Sequence, residues 1–285
     1  MEPKREHKRG WQQIPAGLML MELYVFQQEV LVIIICIALF AASTVVANLG
    51  PQNPDPISGQ SAPARHAPHE LPATQYLQAL EYPDRFNFVR LSDHVFVEAG
   101  MSVVRRAKLA LAIHDGERKV IRFYGYLKET PRILVCDTGL CMRRLEVPEC
   151  TSFAVGTAGI VISPHHIDAT FIAHERSHIE LRGRLGAGKI PAWFNEGLAV
   201  IVSHPAQTYG PGGLGDRCLA EPKVDFPPNE TEWARAISFD VSRYARTACR
   251  VQRWMDANGG NDGALALIAK VAKGVAFSNV YHDPD

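Results

Sequence analysis

The sequence predicts an α+β domain that follows a single transmembrane helix. Three short apolar segments, rich in β-branched residues and bounded by turn residues, have the pattern of strands. They are residues 94–97, 133–136 and 160–163. Longer segments with apolar residues at helical spacing lie between and after them, which indicates helices packed on a sheet. The predicted helices are residues 103–123, 169 to 183 or 186, 191–199, 244–254 and 263–273.

The transmembrane helix is predicted from residues 30–49, which form an uncharged and predominantly apolar run of 20 residues. A helix of that length can cross a hydrocarbon core of about 30 Å. Residues 1–29 carry a cluster of four basic side chains before position 10, so the positive-inside rule places this segment in the cytoplasm and the rest of the chain outside it. The alternative is a signal peptide that is cleaved after residues 45–47.

The segment after the apolar run predicts a tether and then one domain. Residues 50–73 contain six prolines among small and polar residues, which indicates an extended, semi-rigid linker. Residues 74–285 are long enough for one domain with two subdomains. The chain has 30 basic and 30 acidic residues, so its overall charge favours neither nucleic acid nor an anionic surface as a partner.

One pentapeptide carries residues typical of metal-dependent hydrolysis. It is the run His174-Glu175-Arg176-Ser177-His178, which matches the H-E-x-x-H pattern. Histidines at positions i and i+4 share a helix face and can bind one metal ion. Glu175 lies in the same turn, where a carboxylate can take a proton from a metal-bound water as general base. The alternative interpretation is a helix with two ordinary, partly buried histidines.

A catalytic zinc site needs a third protein ligand and one open position. A metzincin-like continuation requires Gly and His where this chain has Leu181 and Arg184, so that arrangement is excluded. The predicted helix at residues 191–199 offers Glu196 instead, between apolar neighbours that indicate packing against the core. An unpaired carboxylate would be costly there, so we expect a metal or basic partner for Glu196 rather than a solvated helix position.

Together the two motifs resemble those of the gluzincin metallopeptidases, in which H-E-x-x-H is followed by a glutamate on the next helix. Residues 193–199, Trp-Phe-Asn-Glu-Gly-Leu-Ala, are similar to the W-x-N-E-G-x-A element of gluzincin aminopeptidases and of membrane-anchored bacterial peptidase MA-like proteins. The likeness covers residues 94–277 and is specific only at the metal motifs. It implies a gluzincin or thermolysin-like domain with a small mixed sheet, a helical lower subdomain and Zn²⁺ bound by His174, His178 and Glu196.

The chain departs from the gluzincin pattern at three points. The interval of 17 residues between His178 and Glu196 is slightly shorter than the spacing of about eighteen or nineteen in the family. The G-x-M-E-N substrate-amine element of the aminopeptidases is absent, and so is the downstream Asp of thermolysin-like enzymes. The resemblance therefore implies a zinc peptidase without implying aminopeptidase specificity.

A group that stabilises the oxyanion of the reaction is predicted at Tyr244, because a neutral phenol that faces the metal can do this. Its segment resembles the S-Y-x-K-G element of gluzincin aminopeptidases, although Arg246 and Thr247 replace the Lys and Gly. The alternative is an amphipathic tyrosine packed at the start of a helix. Tyr209 and His204 are weaker candidates for the same role.

The function expected from these residues is that of a membrane-anchored zinc metallopeptidase. This hydrolase would have its catalytic domain outside the cytoplasm, which is the periplasm if the source is a Gram-negative bacterium. Its expected partners are a peptide or protein substrate and the membrane, with no nucleic acid. The strand at residues 160–163 is expected to pair with an extended peptide. The alternative function is a non-catalytic scaffold or binding protein that keeps the fold and holds a partner in the cleft.

Five cysteines lie outside the apolar run and fit an extracytoplasmic domain. Cys136 could pair with Cys141, and Cys218 with Cys249, which would leave Cys150 free or intermolecular. No C-x-x-C spacing supports a separate structural zinc site.

Two further groups of residues are predicted to be exposed. His165 and His166 follow the predicted strand at residues 160–163 and have the pattern of a turn, so they are not counted as ligands. The arginines at positions 243, 246, 250 and 253 are most simply a solvated helix face, with a carboxylate-binding patch for peptide termini as the alternative.

Overall fold

A computed structural model of the protein describes residues 75–149, 151–203 and 242–283, with residues 226, 227, 229, 231–233 and 236 between the last two ranges. The predicted cytoplasmic segment, transmembrane helix and tether at residues 1–29, 30–49 and 50–73 lie outside these residues. Within the described ranges, no helix combines the length and the apolar character that a bilayer span requires.

A mixed sheet of five strands, in the order β1-β2-β3-β5-β4, organises the first part of the domain. The strands are β1 (Phe88–Arg90), β2 (Val95–Glu98), β3 (Arg132–Val135), β4 (Phe153–Val155) and β5 (Gly159–Ile162). Strands β2, β3 and β5 run parallel, and each edge strand is antiparallel to its neighbour. The α+β class and the small mixed sheet are confirmed, and the three predicted strands correspond to β2, β3 and β5.

The position of β5 corrects one expectation from the sequence. Its residue Ile160 pairs with Ile133 of β3 on one side and with Ala154 of β4 on the other. Both edges of β5 are therefore occupied, and the expected pairing of a peptide with residues 160–163 is wrong. Among the described residues, the open edge on this side of the sheet belongs to β4. Three residues are too few to give β4 a recognisable strand pattern.

Helices cover both faces of the sheet and continue beyond it. They are α1 (Gln75–Glu81), α2 (Val103–Tyr124), α3 (Gly139–Arg144), α4 (Ala169–Leu185), α5 (Ala192–Ser203), α6 (Ser242–Ala257) and α7 (Gly260–Ala272). Helices α1 and α3 pack on one face, where Phe96 and Leu134 are buried. Helices α2 and α4 pack on the other face, against Val97 and Ile133. The alternation of strand side chains thus gives the sheet two apolar cores.

Helix α4 is fixed at its start by a cap and by a close approach to α2. The Asp168 carboxylate accepts hydrogen bonds from the backbone N–H groups of Thr170 (2.7 Å) and Phe171 (3.1 Å), which is the usual role of an N-cap aspartate. A side chain at Gly116 of α2 would place its Cβ 2.9 Å from Ile172 Cγ2. The glycine therefore lets α2 lie close to the helix that carries H-E-x-x-H.

Further along α4, a buried carboxylate ties the helix to the loop before β3. Glu180 is fully buried and accepts hydrogen bonds from the backbone N–H groups of Lys128 (2.8 Å) and Glu129 (3.1 Å). Arg176 and Arg184, one turn away on either side, lie 3.6 and 3.4 Å from its oxygens. Opposite charges and backbone donors together offset the desolvation of this carboxylate.

Helices α5, α6 and α7 build a third core with the C-terminal segment of the described chain. Its large side chains include several aromatic rings that surround the start of α5. These are Trp193, Phe194, Phe226, Trp254, Phe277 and Tyr281. Gly197 allows α5 to approach α6, because an added Cβ would lie 2.7 Å from the backbone oxygen of Thr247. This contact gives a structural reason for the glycine that follows Glu196.

The structure settles part of the cysteine pairing. Cys136 and Cys141 form a disulfide across the turn between β3 and α3, as predicted. Cys249 is also disulfide-bonded. Its expected partner Cys218 and the cysteine at position 150 lie outside the described residues.

The expected exposure is wrong for one residue in each of the two groups, His166 and Arg250. His166 is buried, with its ring stacked on Phe171 at 3.6 Å between centroids and its Nδ1 2.9 Å from Ser152 Oγ. Burial lowers the pKa of His166 to about 4, so its ring is neutral near pH 7. Arg250 is not a solvated position of α6, since its guanidinium lies 4.5 Å from the Trp193 ring centroid and forms an ion pair with Asp283.

Candidate metal centre

Three side chains from α4 and α5 converge at one point between the sheet and the helical core. The Nε2 atoms of His174 and His178 lie 3.4 and 3.7 Å from Oε2 of Glu196. Ligand atoms of the three residues all lie within 4.8 Å of one another. Atoms that share one tetrahedral ion at about 2.0–2.1 Å are about 3.3–3.5 Å apart. The predicted set of ligands is therefore brought together in a geometry that can hold a metal ion.

The two imidazoles reach this point because they lie one turn apart on α4. Their ring centroids are 4.8 Å apart and the rings are nearly perpendicular, and both present Nε2 to the carboxylate of Glu196. His178 Nδ1 lies 2.8 Å from Oδ1 of Asn195. Because an amide oxygen only accepts, Nδ1 carries the proton and Nε2 keeps its lone pair for a metal. Asn195 is part of the W-x-N-E-G-x-A element, but the sequence alone gave it no role in the site.

Glu196 is held by the packing of its own helix. Its neighbours Trp193 and Phe194 are buried, which anchors the first turn of α5 in the aromatic core. This leaves the carboxylate on the side of the helix that faces α4. Burial raises the pKa of Glu196, but its electrostatic interactions with His178 and His174, together with a hydrogen bond to His174, outweigh burial and lower it below 4.5 overall. The carboxylate is therefore ionised at neutral pH and available as a ligand.

The interaction between His174 and Glu196 also changes the pKa of His174. Burial lowers its pKa, but the hydrogen bond to Glu196 and the charges of Glu175 and Glu196 outweigh burial and raise it overall. Without a metal, the ring thus holds a proton more tightly than an ordinary histidine. A metal ion has to displace that proton, because only the neutral imidazole is a ligand.

The predicted general base lies next to the ligands and against the edge strand. Glu175 is buried, with 6% of its surface exposed. Burial raises its pKa above the ordinary value of 4.5, while the charges of His174 and His178 and a hydrogen bond from the backbone N–H of Ala154 lower it in part. Ala154 is the middle residue of β4. The carboxyl group therefore lies at the same place as the open edge of the sheet.

Tyr244, on the first turn of α6, faces the same site. Its ring centroid is 6.3 Å from that of His174 and 5.7 Å from that of Trp233. Burial raises the pKa of Tyr244 well above 10, and the negative charges of Glu196 and Glu175 raise it further. The phenol is consequently neutral at physiological pH and can donate a hydrogen bond. Tyr209 and His204, the weaker candidates for this role, lie outside the described residues.

No protein-family model, curated protein or solved structure matches this chain. The residues of the site themselves indicate which chemistry it can perform. Two imidazoles and a carboxylate can provide the ligands, a buried carboxyl group with a raised pKa lies beside them, and the ring of a neutral phenol lies 6.3 Å from that of His174. Such a set can bind a metal ion and move a proton next to it.

Some residues of the site gave no signal in the sequence. Ala154 contributes only its backbone, and Trp233 lies about ten residues before Tyr244 in a segment without a clear helical or strand pattern. His166 packs on Phe171, which lies three residues before His174. Its own sequence context predicts an exposed turn. Asn195 carries a usable signal, because it lies directly before Glu196 in the chain and a metal-ligating histidine usually donates its second ring N–H to an oxygen acceptor.

Proposed function

We propose that this protein is a zinc-dependent metallopeptidase of the gluzincin, thermolysin-like type, which hydrolyses peptide bonds with a metal-activated water and Glu175 as general base. The observation that carries the proposal is the convergence of His174, His178 and Glu196 with Glu175 in the same turn of α4. Structural ion pairs also perturb pKa values, but they have no need for three ligand atoms within reach of one ion.

The ligand set favours zinc over other ions. Two imidazole nitrogens and one carboxylate, with room for a fourth ligand, are typical of catalytic zinc, whereas calcium and magnesium prefer oxygen ligands alone. Zinc held by His174, His178 and Glu196 would polarise a substrate carbonyl and lower the pKa of a bound water to about 7. The hydrogen bond from His178 to Asn195 supports this assignment, because it directs Nε2 to the ion.

Glu175 moves the protons of the proposed reaction. Its carboxylate accepts a proton from the attacking water and then delivers it to the nitrogen of the leaving amine. A raised pKa suits both steps, because it makes the carboxylate a stronger base and brings its pKa closer to the working pH. The residue therefore acts as base and acid in turn.

Tyr244 is proposed to stabilise the negative charge that develops on the carbonyl oxygen. Its pKa is raised by burial and by two neighbouring carboxylates, so the hydroxyl group keeps its proton and donates it in a hydrogen bond to the oxyanion. The removal of one such donor typically lowers kcat by about 10²–10³-fold. Tyr244→Phe tests this role while it keeps the ring that packs against Trp233.

The substrate is proposed to be an extended peptide that adds to the free edge of β4. Backbone hydrogen bonds to an edge strand bind peptides of varied sequence. Ala154 of β4 lies against Glu175, so a peptide on this edge would pass beside the general base. Addition of the peptide to β4 replaces the expected pairing with residues 160–163. The reason is the same in both cases: backbone hydrogen bonds to a strand edge do not depend on the sequence of the peptide.

The proposed location is the extracytoplasmic face of a membrane, which is the periplasm if the source is a Gram-negative bacterium. It is supported by the apolar run at residues 30–49 with basic residues before it. The disulfide between Cys136 and Cys141 also fits an oxidising compartment.

The decisive experiment compares the full chain with Glu175→Gln. We expect the hydrolysis of a peptide library to fall by about 10²–10⁴-fold, because the general base is lost. The zinc content should stay at the wild-type level, because Glu175 is not a ligand. Glu232→Gln, at an exposed glutamate, is the matched control and should keep both activity and zinc.

Two results would reject the proposal. An unchanged cleavage rate in Glu175→Gln would mean that the activity does not use this site. The absence of any hydrolysis in a zinc-loaded wild-type chain would favour the alternative of a binding protein that keeps the metal and the cleft.

A further inference from the structure

The N-terminal half of α2 leaves an apolar surface without a partner among the described residues. Val103, Val104 and Leu111 are 82%, 79% and 67% exposed, the highest values for large apolar side chains in the described part of the chain. Ala107 and Ala110 are exposed between them. We call these five residues the α2 face. Leu109 and Ile113, on the opposite side of the helix, are buried in the core of the sheet.

The arrangement of the α2 face sets it apart from scattered surface hydrophobics. Single exposed apolar residues are normal on a protein surface. Here the residues at positions i, i+1, i+4, i+7 and i+8, counted from Val103, form one stripe along two turns of a helix. A contiguous apolar surface of this kind marks an interaction with another molecule or with a membrane.

The charge around the α2 face identifies its partner. Helix α2 contains six basic and two acidic residues, a formal charge of 6 − 2 = +4, although the whole chain has a formal charge of +0. Residues 103–111 contain three basic residues and no acidic residue. An apolar stripe with Lys and Arg at its sides is typical of helices that lie at the interface of an anionic lipid surface.

The basic side chains of α2 lie where they can contact headgroups. Lys108, Arg118 and Arg122 are exposed. Arg106 donates hydrogen bonds to the backbone oxygens of Met101 (2.9 Å) and Ala99 (3.1 Å), so its charge is not neutralised by an acid there. In contrast, Arg105 forms an ion pair with Asp137. Lys119 donates hydrogen bonds to Thr170 Oγ1 and the backbone oxygen of Ser203, so the charges of the three exposed residues Lys108, Arg118 and Arg122 are the ones available to an anionic partner.

We propose that the α2 face docks the domain on an anionic lipid surface, with Val103, Val104 and Leu111 at the boundary between headgroups and acyl chains. The sequence supplies a reason for a membrane to be near. Residues 50–74 separate the apolar run at residues 30–49 from α1 and number 25, so they span at most about 90 Å when extended. A tether of this length keeps the surface at a high effective concentration, and weak docking is then sufficient.

Docking through α2 would orient the candidate metal centre relative to the membrane. Helix α2 packs directly against α4 at Gly116 and Ile172, and α4 carries both histidines. The lipid surface would thus hold the cleft at a fixed height and select substrates that reach it. This inference goes beyond the proposed peptidase function; it rests on the proposed membrane location and not on the catalytic role of the site.

The test is depth-resolved photocrosslinking of the full chain in lipid vesicles. The vesicles contain about 30% phosphatidylglycerol in phosphatidylcholine, with a lipid whose diazirine lies at the headgroup boundary. We expect lipid adducts on peptides that cover residues 103–111. In the triple variant Val103→Ser, Val104→Ser and Leu111→Ser, these adducts should fall at least about fivefold, because the apolar part of the contact is removed.

Two further variants separate the contributions. Lys108→Glu with Arg118→Glu should reduce the adducts by a similar factor and remove their salt dependence, since it reverses the charge beside the α2 face. Leu140→Ser is the matched control. Leu140 is 57% exposed and belongs to α3, on the opposite face of the sheet, so its replacement should leave the adducts on residues 103–111 unchanged.

Three outcomes would overturn the inference. Adducts confined to residues 30–49 would show that the anchor alone contacts lipid. Equal adducts in pure phosphatidylcholine would exclude a role for the basic residues. Crosslinks between two copies of α2 at the expense of lipid adducts would show that a second chain covers the face.

Peptide hydrolysis, measured on a soluble substrate, should be the same in the triple variant and in the wild type.

Discussion

The two helices that carry the candidate ligands are held by different forces. Helix α4 buries charged side chains, and Glu180 ties it to the loop before β3 through two backbone N–H groups and two arginines. Helix α5 buries mainly apolar side chains, and the rings of Trp193 and Phe194 anchor it in the aromatic core. Helix α4 is thus held by directional bonds in addition to packing, whereas α5 is held mainly by packing.

The difference fits what each helix has to do. Helix α4 supplies His174, Glu175 and His178, whose directions all depend on its rotation about its own axis. Directional hydrogen bonds restrict that rotation more strongly than apolar contacts do. Helix α5 supplies only Glu196, a longer side chain that can adjust by rotamer changes. Packing is sufficient to keep such a ligand within reach.

The largest effect is expected when the polar anchor of α4 is removed. Glu180→Gln leaves the charges of Arg176 and Arg184 without their buried partner, which typically costs about 3–5 kcal/mol. The free energy of unfolding, measured by denaturant titration of the full chain in detergent, should fall by that amount. Glu232→Gln should change it by less than about 0.5 kcal/mol. A loss below about 1 kcal/mol would mean that the network does not fix α4.

A smaller loss is expected when the packing of α5 is disturbed. Gly197→Ala places a methyl group 2.7 Å from the backbone oxygen of Thr247, so α6 has to move away. Overpacking of this kind costs about 1–3 kcal/mol, and we expect the same range in the free energy of unfolding. Gly100→Ala is the matched control, since nothing lies within 4 Å of its added Cβ. Equal stability of the two variants would contradict the close approach of α5 and α6.

The contact between the two helices can be tested through metal affinity. Asn195→Ala removes the acceptor that orients His178, and the loss of such a partner weakens metal binding by about 10–100-fold. Zinc titration of the full chain against a competing chelator measures this change. Asn195→Asp keeps an acceptor at the same position and should stay within about threefold of the wild type. If Asp and Ala behave alike, Asn195 does not act through His178.

The smallest expected effect is a displacement of the acid limb of the activity profile. Burial raises the pKa of Glu175 above 4.5, and the general base is needed as a carboxylate. The rate should therefore be full above the raised pKa and fall as the pH drops through it, at a higher pH than an ordinary glutamate would give. The measurement is kcat/KM against pH, with the zinc content determined at each point. A constant rate down to pH 4.5 at full zinc occupancy would contradict this role.

The comparison of α4 and α5 also explains how much the sequence predicted. The candidate metal ligands are predictable from the sequence, because the pattern that reveals them is local. His174 and His178 share a face at helical spacing, and Glu196 lies among apolar neighbours. The three inner strands were found for the same reason, since β-branched runs have a pattern of their own. The disulfide between Cys136 and Cys141 followed from its short separation.

Contacts between distant segments were not predictable in the same way. Strand β4 is three residues long, so the open edge was assigned to the neighbouring strand β5. The burial of His166 depends on Phe171 and Ser152, and the position of Arg250 depends on Trp193 and Asp283. These side chains find their partners only after the chain has folded, and polar residues near turns otherwise predict exposure.

The central claim is that His174, His178 and Glu196 bind one zinc ion together. It is tested most directly by the zinc content and zinc affinity of the full chain and of Glu196→Ala. We predict one zinc per wild-type chain and an affinity at least about 100-fold lower in the variant, because one of three ligands is lost. A wild-type chain that binds no zinc, or a variant that binds it as tightly as the wild type, would contradict the account.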